Sequence, residues 1–279
     1  MIELFHRASE QCSAVITRRY STSFSTSIRL LHKDLRTPVF NIYGFVRLAD
    51  EIVDTFHEYD KAALLTVFKK EAFEAIERKI SLNPILHSFQ LTVNRYHIDH
   101  SLVHAFFDSM EMDLTHKAYD REGFSQYIYG SAEVVGLMCL HVFCDGNKEK
   151  YNELQPAARA LGAAFQKVNF LRDMCADYNQ LSRVYFPGCN FSSFSECDKR
   201  MIEENIQADF REAYKGIVRL PLTSRFGVYV AYKYYLSLFN KIKRMEARRV
   251  LEERIRIPDY YKALIVLRAG VKNQLNLIG

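Results

Sequence analysis

Gln166-Lys-Val-Asn169-Phe-Leu-Arg172-Asp173-Met-Cys-Ala-Asp177 places Gln166, Asn169, Asp173 and Asp177 at steps of three, four and four, with apolar residues between them. That is the period of an α-helix, so the two amides and two carboxylates share one face of it. A second stretch, Tyr43-Gly-Phe-Val-Arg47-Leu-Ala-Asp50-Glu-Ile-Val-Asp54, repeats the pattern with a phenol, a guanidinium and two carboxylates at 43, 47, 50 and 54. At 100° per residue those four side chains occupy a stripe about 60° wide. Carboxylates four apart on a helix repel each other. Both stripes also lie beside apolar faces, so something cationic is expected to offset the repulsion.

The same period extends outward from these stretches. Apolar residues recur at three and four around Phe40–Asp50, Leu102–Met110 and Ala160–Phe170, and no Asn-Gly hairpin stands between alternating strands. Glycine (11) and proline (6) are scarce, and the prolines (38, 84, 156, 187, 221, 258) are read as marking element ends. The pattern predicts helices near 3–19, 22–32, 38–56, 60–80, 84–95, 99–116, 123–143, 148–181, 198–218, 222–247 and 258–276. The longest irregular segment is expected at Phe186–Cys197. The fold class is all-α, a single domain over 1–279.

Composition narrows the function. Lys plus Arg number 38 against 33 Asp plus Glu, a formal +5 spread along the chain, which suits small anions better than a nucleic-acid track. The six cysteines form no CxxC pair and no zinc spacing, so they read as core residues of a reducing compartment. Glu3, His6, Arg7 and Glu10 interrupt the N-terminus where a signal peptide needs an apolar run, and no apolar run approaches a bilayer span. The expectation is a cytoplasmic protein. Seventeen Tyr and 20 Phe with no Trp make either ordinary core or the wall of an apolar pocket.

A lone Asp-x-x-x-Asp is ordinarily a solvated helix face. Here each pair has an amide, guanidinium or phenol on its own face, a set of hard oxygen ligands suited to Mg²⁺ (or Mn²⁺) bridging carboxylates to phosphates. Two such faces opposed across a cavity would hold a diphosphate, with Arg47 and Arg172 neutralising the remaining charge. Metal-assisted loss of diphosphate from an allylic carbon leaves a carbocation, which aromatic faces can steady in a water-free cavity.

At these residues the chain resembles the squalene/phytoene synthases, head-to-head prenyl transferases. One family signature is matched by Leu161-Gly162-x-x-x-Gln166-x-x-Asn169-x-x-Arg172-Asp173-x-x-x-Asp177 with Arg183-x-Tyr185-x-Pro187 following. The other is similar to Tyr129-Gly-Ser-Ala-Glu-Val-Val-Gly136. Tyr20-Ser21-Thr22-Ser23-Phe24, Asp50-Glu-Ile-Val-Asp54 and Met112-Asp113-Leu114 also match, in order, from about residue 10 onward. The resemblance implies an isoprenoid synthase helical bundle around a central cavity. Asp50, Asp54, Asn169, Asp173 and Asp177 would hold the metal. Tyr20, Ser21, Thr22, Ser23, Tyr43, Arg47, Gln166, Arg172 and Tyr185 would bind the substrate. Two prenyl diphosphates would join through a cyclopropylcarbinyl diphosphate.

Within the family, the favoured reading is condensation of two twenty-carbon geranylgeranyl diphosphates to phytoene. The alternative is the same chemistry on fifteen-carbon farnesyl diphosphate, giving dehydrosqualene or squalene. With no Rossmann-type glycine motif, no NADPH is expected. Phe24, Phe45, Leu137, Met138 and Leu161 are candidates for closing the cavity floor. Arg248-Arg249 stand where many relatives have a Tyr, and the arginines of Arg254-Ile-Arg256-Ile-Pro258 read as a solvated helix end. A lipophilic product suggests peripheral contact with a membrane, although no amphipathic stretch marks it. A non-catalytic helical assembly factor is the rival from another class, and a terpene cyclase would carry a different second metal motif.

Overall fold

The computed structural model describes residues 2–115, 119–181, 185–189, 194–252, 254–275 and 278, and for 176–181 and 259 the backbone alone. Every regular element among them is helical. The first half contains α1 (Ile2–Tyr20), α2 (Thr22–Arg29), α3 (Lys33–Asp54), α4 (Lys61–Arg78), α5 (Pro84–Tyr96) and α6 (His100–Thr115). Next, α7 (Arg121–Ile128) passes through a π turn (Tyr129–Glu133) into α8 (Val134–Cys144), and α9 (Lys148–Leu181) is the longest helix at 34 residues. The last four are α10 (Glu196–Ile217), α11 (Leu222–Lys243), α12 (Ala247–Val250) and α13 (Asp259–Gln274).

Side-chain caps set many of the starts by satisfying N–H groups that a first helical turn leaves unpaired. Ser21 accepts from the Phe24 amide, Asp60 from Ala63, Asn83 from Ile85 ahead of Pro84, and Asp120 from Gly123. Ser195 and Asp198 form a reciprocal capping box that starts α10 at Glu196, two residues earlier than its apolar pattern suggested. Three other expectations are corrected. The third helix begins at Lys33, not Pro38, because a proline in the second turn forfeits one backbone bond without ending a helix whose Leu35, Val39 and Phe40 are all buried. The helix expected over 123–143 holds the π turn. That expected over 222–247 stops at Lys243, and its continuation is tied to α10 by the Ala247 amide donating to Glu196.

The arrangement buries two large apolar clusters. One is built on α1–α6 with α8, around Ile42, Phe45, Phe89 and Phe106, and the other on α9–α11 with α7, around Val168, Phe210 and Phe239. A smaller cluster of Leu140, Cys144, Leu154 and Leu220 joins their ends. Close approach of α9 and of α6 to the π turn depends on glycine: a Cβ on Gly162 of α9 would stand 2.5 Å from the Ala132 carbonyl oxygen, and one on Gly130 2.4 Å from that of Ala105 of α6. The sequence contains no uninterrupted apolar run long enough to span a bilayer. The continuous Arg121–Cys144 helix is in fact long and apolar enough by length and composition, since isolated Gly, Ser and Glu residues interrupt the run without lowering its average much. More than half of its most apolar window is buried in the bundle, where it forms a cavity wall.

Candidate active site

A cavity of about 520 Å³ lies between the clusters, and all three contribute to its lining. One end is polar. There α3 supplies Tyr43, Arg47, Asp50 and Asp54, α9 supplies Gln166, Asn169, Arg172 and Asp173, and Tyr20, Ser21, Asp113, Tyr185 and Arg254 close the ring. Beyond it the walls turn apolar along Leu161, Ala158 and Leu154 of α9, with Ile28, Leu140, Ile217, Leu220 and Val228 facing them. Thr22 and Ser23 are outside this lining, and the side chain of Asp177 lies outside the described residues. Of the floor candidates, Phe24 and Leu161 line the cavity. Phe45, Leu137 and Met138 are instead packed inside the first cluster, because their side of the helix faces neighbouring helices.

The α3 wall carries a surplus of negative charge. Arg47 bonds Glu51 at 2.5 Å, stands 3.9 Å from Asp50, and lays its guanidinium 4.4 Å from the centre of the Tyr20 ring. Burial, reinforced by Asp54 and more weakly by Asp113 and Glu51, pushes the Asp50 carboxyl up to about 7 against the pull of Arg47. The α9 wall is balanced differently. Arg172 grips Asp173 with two bonds of 3.0 and 2.5 Å, and Arg254, arriving from the segment after α12, donates to the same carboxylate at 2.7 Å. Burial works against the charge on Arg172, and the bond to Asp173 more than restores it.

Tyr43 couples the two walls. Burial and the Asp50 charge raise its phenol, while a hydrogen bond with Ser21 and the charges of Arg47 and, from α9, Arg172 oppose the rise. Next to it Phe165 stacks on Tyr235 at 3.9 Å, and the Phe24 ring lies 5.3 Å from Tyr43 and edge-on to both others. Tyr235, raised chiefly by burial, is hydrogen-bonded to Asn169. Under Asp113, Tyr127 donates to its carboxylate at 2.8 Å, and Tyr185 stacks flat on Phe170 at 3.8 Å.

Two buried polar atoms test whether these residues suit a divalent cation and an anion. Asn169 Oδ1 is a buried acceptor and Arg47 Nε a buried donor, and neither has a hydrogen-bond partner. An orphaned acceptor beside carboxylates fits a hard cation, and an orphaned guanidinium N–H fits a phosphate oxygen. Among the described residues no three carboxylate, imidazole or thiolate groups already converge as a cation site, which is consistent with Asp173 being held by two arginines. The donor set is oxygen-rich and crowded with like charge, and it fits.

Compared with known families, residues 17–195 match the squalene/phytoene synthase family. The chain belongs to that family. Similar curated proteins include chloroplastic phytoene synthase 3 of Zea mays, 26% identical over 259 residues, with 86% of this chain but 59% of the maize protein aligned. The chain thus spans about three fifths of that relative's length. It spans more of the phytoene synthase of Arthrospira platensis, 24% identical over 282 residues, covering 92% of this chain and 91% of that protein. Among solved structures, a dehydrosqualene synthase in complex with ligand superposes with a TM-score of 0.83 at 18% identity, over 96% of this chain and 98% of that one. A squalene synthase from Alicyclobacillus acidocaldarius gives 0.73 at 20% identity, over 88% and 95%. At those identities the likeness shows the fold, which is the helical isoprenoid synthase architecture of the squalene/phytoene synthases.

Asp113, Tyr127, Tyr235 and Arg254 line the cavity without belonging to either helical stripe or to the site residues that the resemblance implies. In the sequence Asp113 stands only within Met112-Asp113-Leu114, and Arg254 reads as part of a solvated helix end. It is half-exposed, yet it bonds Asp173. Tyr127 and Tyr235 carry no local polar pattern that separates them from other core aromatics.

Proposed function

We propose that the chain joins two geranylgeranyl diphosphates head to head to give phytoene. The observation that carries the reading is the length of the cavity from its charged mouth to its apolar end. From Asp173 to Leu154 the lining follows α9 for nineteen residues, roughly 28 Å at 1.5 Å per residue. An extended isoprene unit spans about 5 Å if each of its four bonds advances as far as a bond of an extended backbone. Four units behind a diphosphate use most of that length, and three leave the far end empty.

Arg47, Arg172 and Arg254 offer guanidinium forks to the diphosphates, and Tyr43 and Tyr20 flank Arg47 at the mouth. Asp50, Asp54, Asn169 and Asp173, with Asp177, are the residues to hold Mg²⁺ or Mn²⁺. When bound, the metal would act as a Lewis acid toward the departing diphosphate. The stack of Phe24, Phe165 and Tyr235 turns ring faces and edges toward the site, where they steady the allylic cation and exclude water from it. The double bond of the second substrate attacks that cation, and loss of a proton from the resulting carbocation closes the ring of the cyclopropylcarbinyl diphosphate. Loss of the second diphosphate, rearrangement and proton loss then give a conjugated triene, without a reductant.

The test is incubation with labelled geranylgeranyl or farnesyl diphosphate and Mg²⁺, with and without NADPH, followed by identification of the hydrocarbon by mass spectrometry. A forty-carbon triene formed equally well without NADPH is expected. A thirty-carbon product formed in preference would transfer the reading to farnesyl diphosphate, and the absence of any hydrocarbon would refute it.

A further inference from the structure

We propose that the outward face of α13 docks on an anionic phospholipid surface. This helix is apolar on two sides. Ile265 and Ala269 are buried in the bundle, where α13 packs on α11, while Tyr260, Leu267, Val271 and Leu275 are 76%, 66%, 50% and 62% exposed. With half-buried Leu264 among them they follow steps of four, three, four and four, which places them on one stripe about 80° wide. Large apolar side chains scattered singly over a surface are ordinary, but a helical row of them is an interaction face.

Charge identifies the occupant. Residues 241–272 contain ten Lys and Arg against four Asp and Glu, a surplus of six where the whole chain has five. The rest of the molecule is therefore close to neutral. Arg268 and Lys272 follow one edge of the stripe and are exposed. Lysine or arginine beside an apolar helical stripe is the pattern of helices that lie in the headgroup region with their apolar side chains inserted. A second copy of the chain on this face would bring two basic stretches together, which like-charge repulsion disfavours.

Flotation of the full chain with vesicles, in the absence of any prenyl diphosphate, tests the face separately from the chemistry. Co-migration is expected with vesicles of one part phosphatidylglycerol to two parts phosphatidylcholine, much less with phosphatidylcholine alone, and less again at high salt. The double variant Leu267→Gln/Val271→Gln should lose binding. Arg268→Gln/Lys272→Gln should weaken it on anionic vesicles by roughly thirtyfold, at about fivefold per cation. Both variants should keep the parent's turnover of detergent-dispersed substrate, which reports an intact fold. The proposal is overturned if the parent does not float with anionic vesicles, or if both variants float as it does. It is also overturned if sedimentation shows a dimer that the apolar double variant dissociates, since the occupant would then be a second copy.

Discussion

Asp50 is in a position that costs the protein stability. Its carboxyl is raised from 3.8 to about 7, so between those values the native state holds a proton that the unfolded chain has released. Stability therefore falls as pH rises through that window, and the full penalty is present above pH 7. About a third of the side chain is exposed, so solvent screening reduces the penalty to roughly 1–2 kcal/mol. Asp50→Asn removes the titration. In metal-free protein the variant should melt higher than the parent at pH 8 and equally at pH 4, as read by thermal denaturation, while product formation falls at least a hundredfold. Unchanged turnover in this variant would mean that Asp50 does not hold the metal. Across the site, Arg254→Gln removes a half-exposed partner of Asp173 and should cost less than about 1 kcal/mol of stability. It should still lower kcat/KM for the prenyl diphosphate about tenfold, chiefly through KM, because the guanidinium is proposed to leave Asp173 for phosphate. Asp50, Asp54, Asn169 and Asp173 could be read from the sequence because a helix brings residues three and four apart onto one face. Arg254 and Asp113 could not, because only the packing of separate elements brings them to that face.

Among the elements, the π turn at Tyr129–Glu133 marks where local pattern ends and packing begins. The apolar period reads straight through it as a single helix. The extra residue in the turn follows from contacts with α6 and α9, where Gly130 meets the Ala105 carbonyl and Gly162 the Ala132 carbonyl. Gly162→Ala should accordingly destabilise the protein by about 1–3 kcal/mol, although alanine is the better helix former. Denaturant unfolding measures this, and a stability equal to or above the parent's would show that the two backbones can separate freely. Helix existence was legible nearly everywhere, and the misplaced ends have local causes. Pro38 sits in the second turn of α3, Ser195 and Asp198 cap each other, and a bond to Glu196 holds the chain after α11. The outward stripe of α13 belongs to the same class of feature. Its residues fit a helix in the sequence, but only packing on α11 reveals which of its two apolar sides is already used.

At the scale of the whole molecule, the cavity functions as a measure of length. Its polar mouth is fixed by the ends of α3 and α9, and its depth by where side chains from α8, α9, α10 and α11 meet around Leu154 and Leu220. No sequence pattern specifies that depth, which explains why Phe45, Leu137 and Met138 were plausible floor residues by type and lie elsewhere. Ala158 lines the wall part-way down and is not fully buried, fifteen residues or roughly 22 Å along α9 from Asp173. A phenylalanine there projects into the tunnel rather than into packed core. Beside a diphosphate it leaves room for about 15 Å of extended tail, three isoprene units, and blocks about 20 Å, four. Ala158→Phe should therefore lower kcat/KM for geranylgeranyl diphosphate by fiftyfold or more, about 2.3 kcal/mol of transition-state binding, and leave farnesyl diphosphate within a fewfold of the parent. Competition between the two labelled substrates, with the hydrocarbons separated by carbon number, reads the ratio directly. A parent-like ratio in a variant that still melts as the parent does would mean that the tails do not run down α9, and the chain-length argument would fall with it.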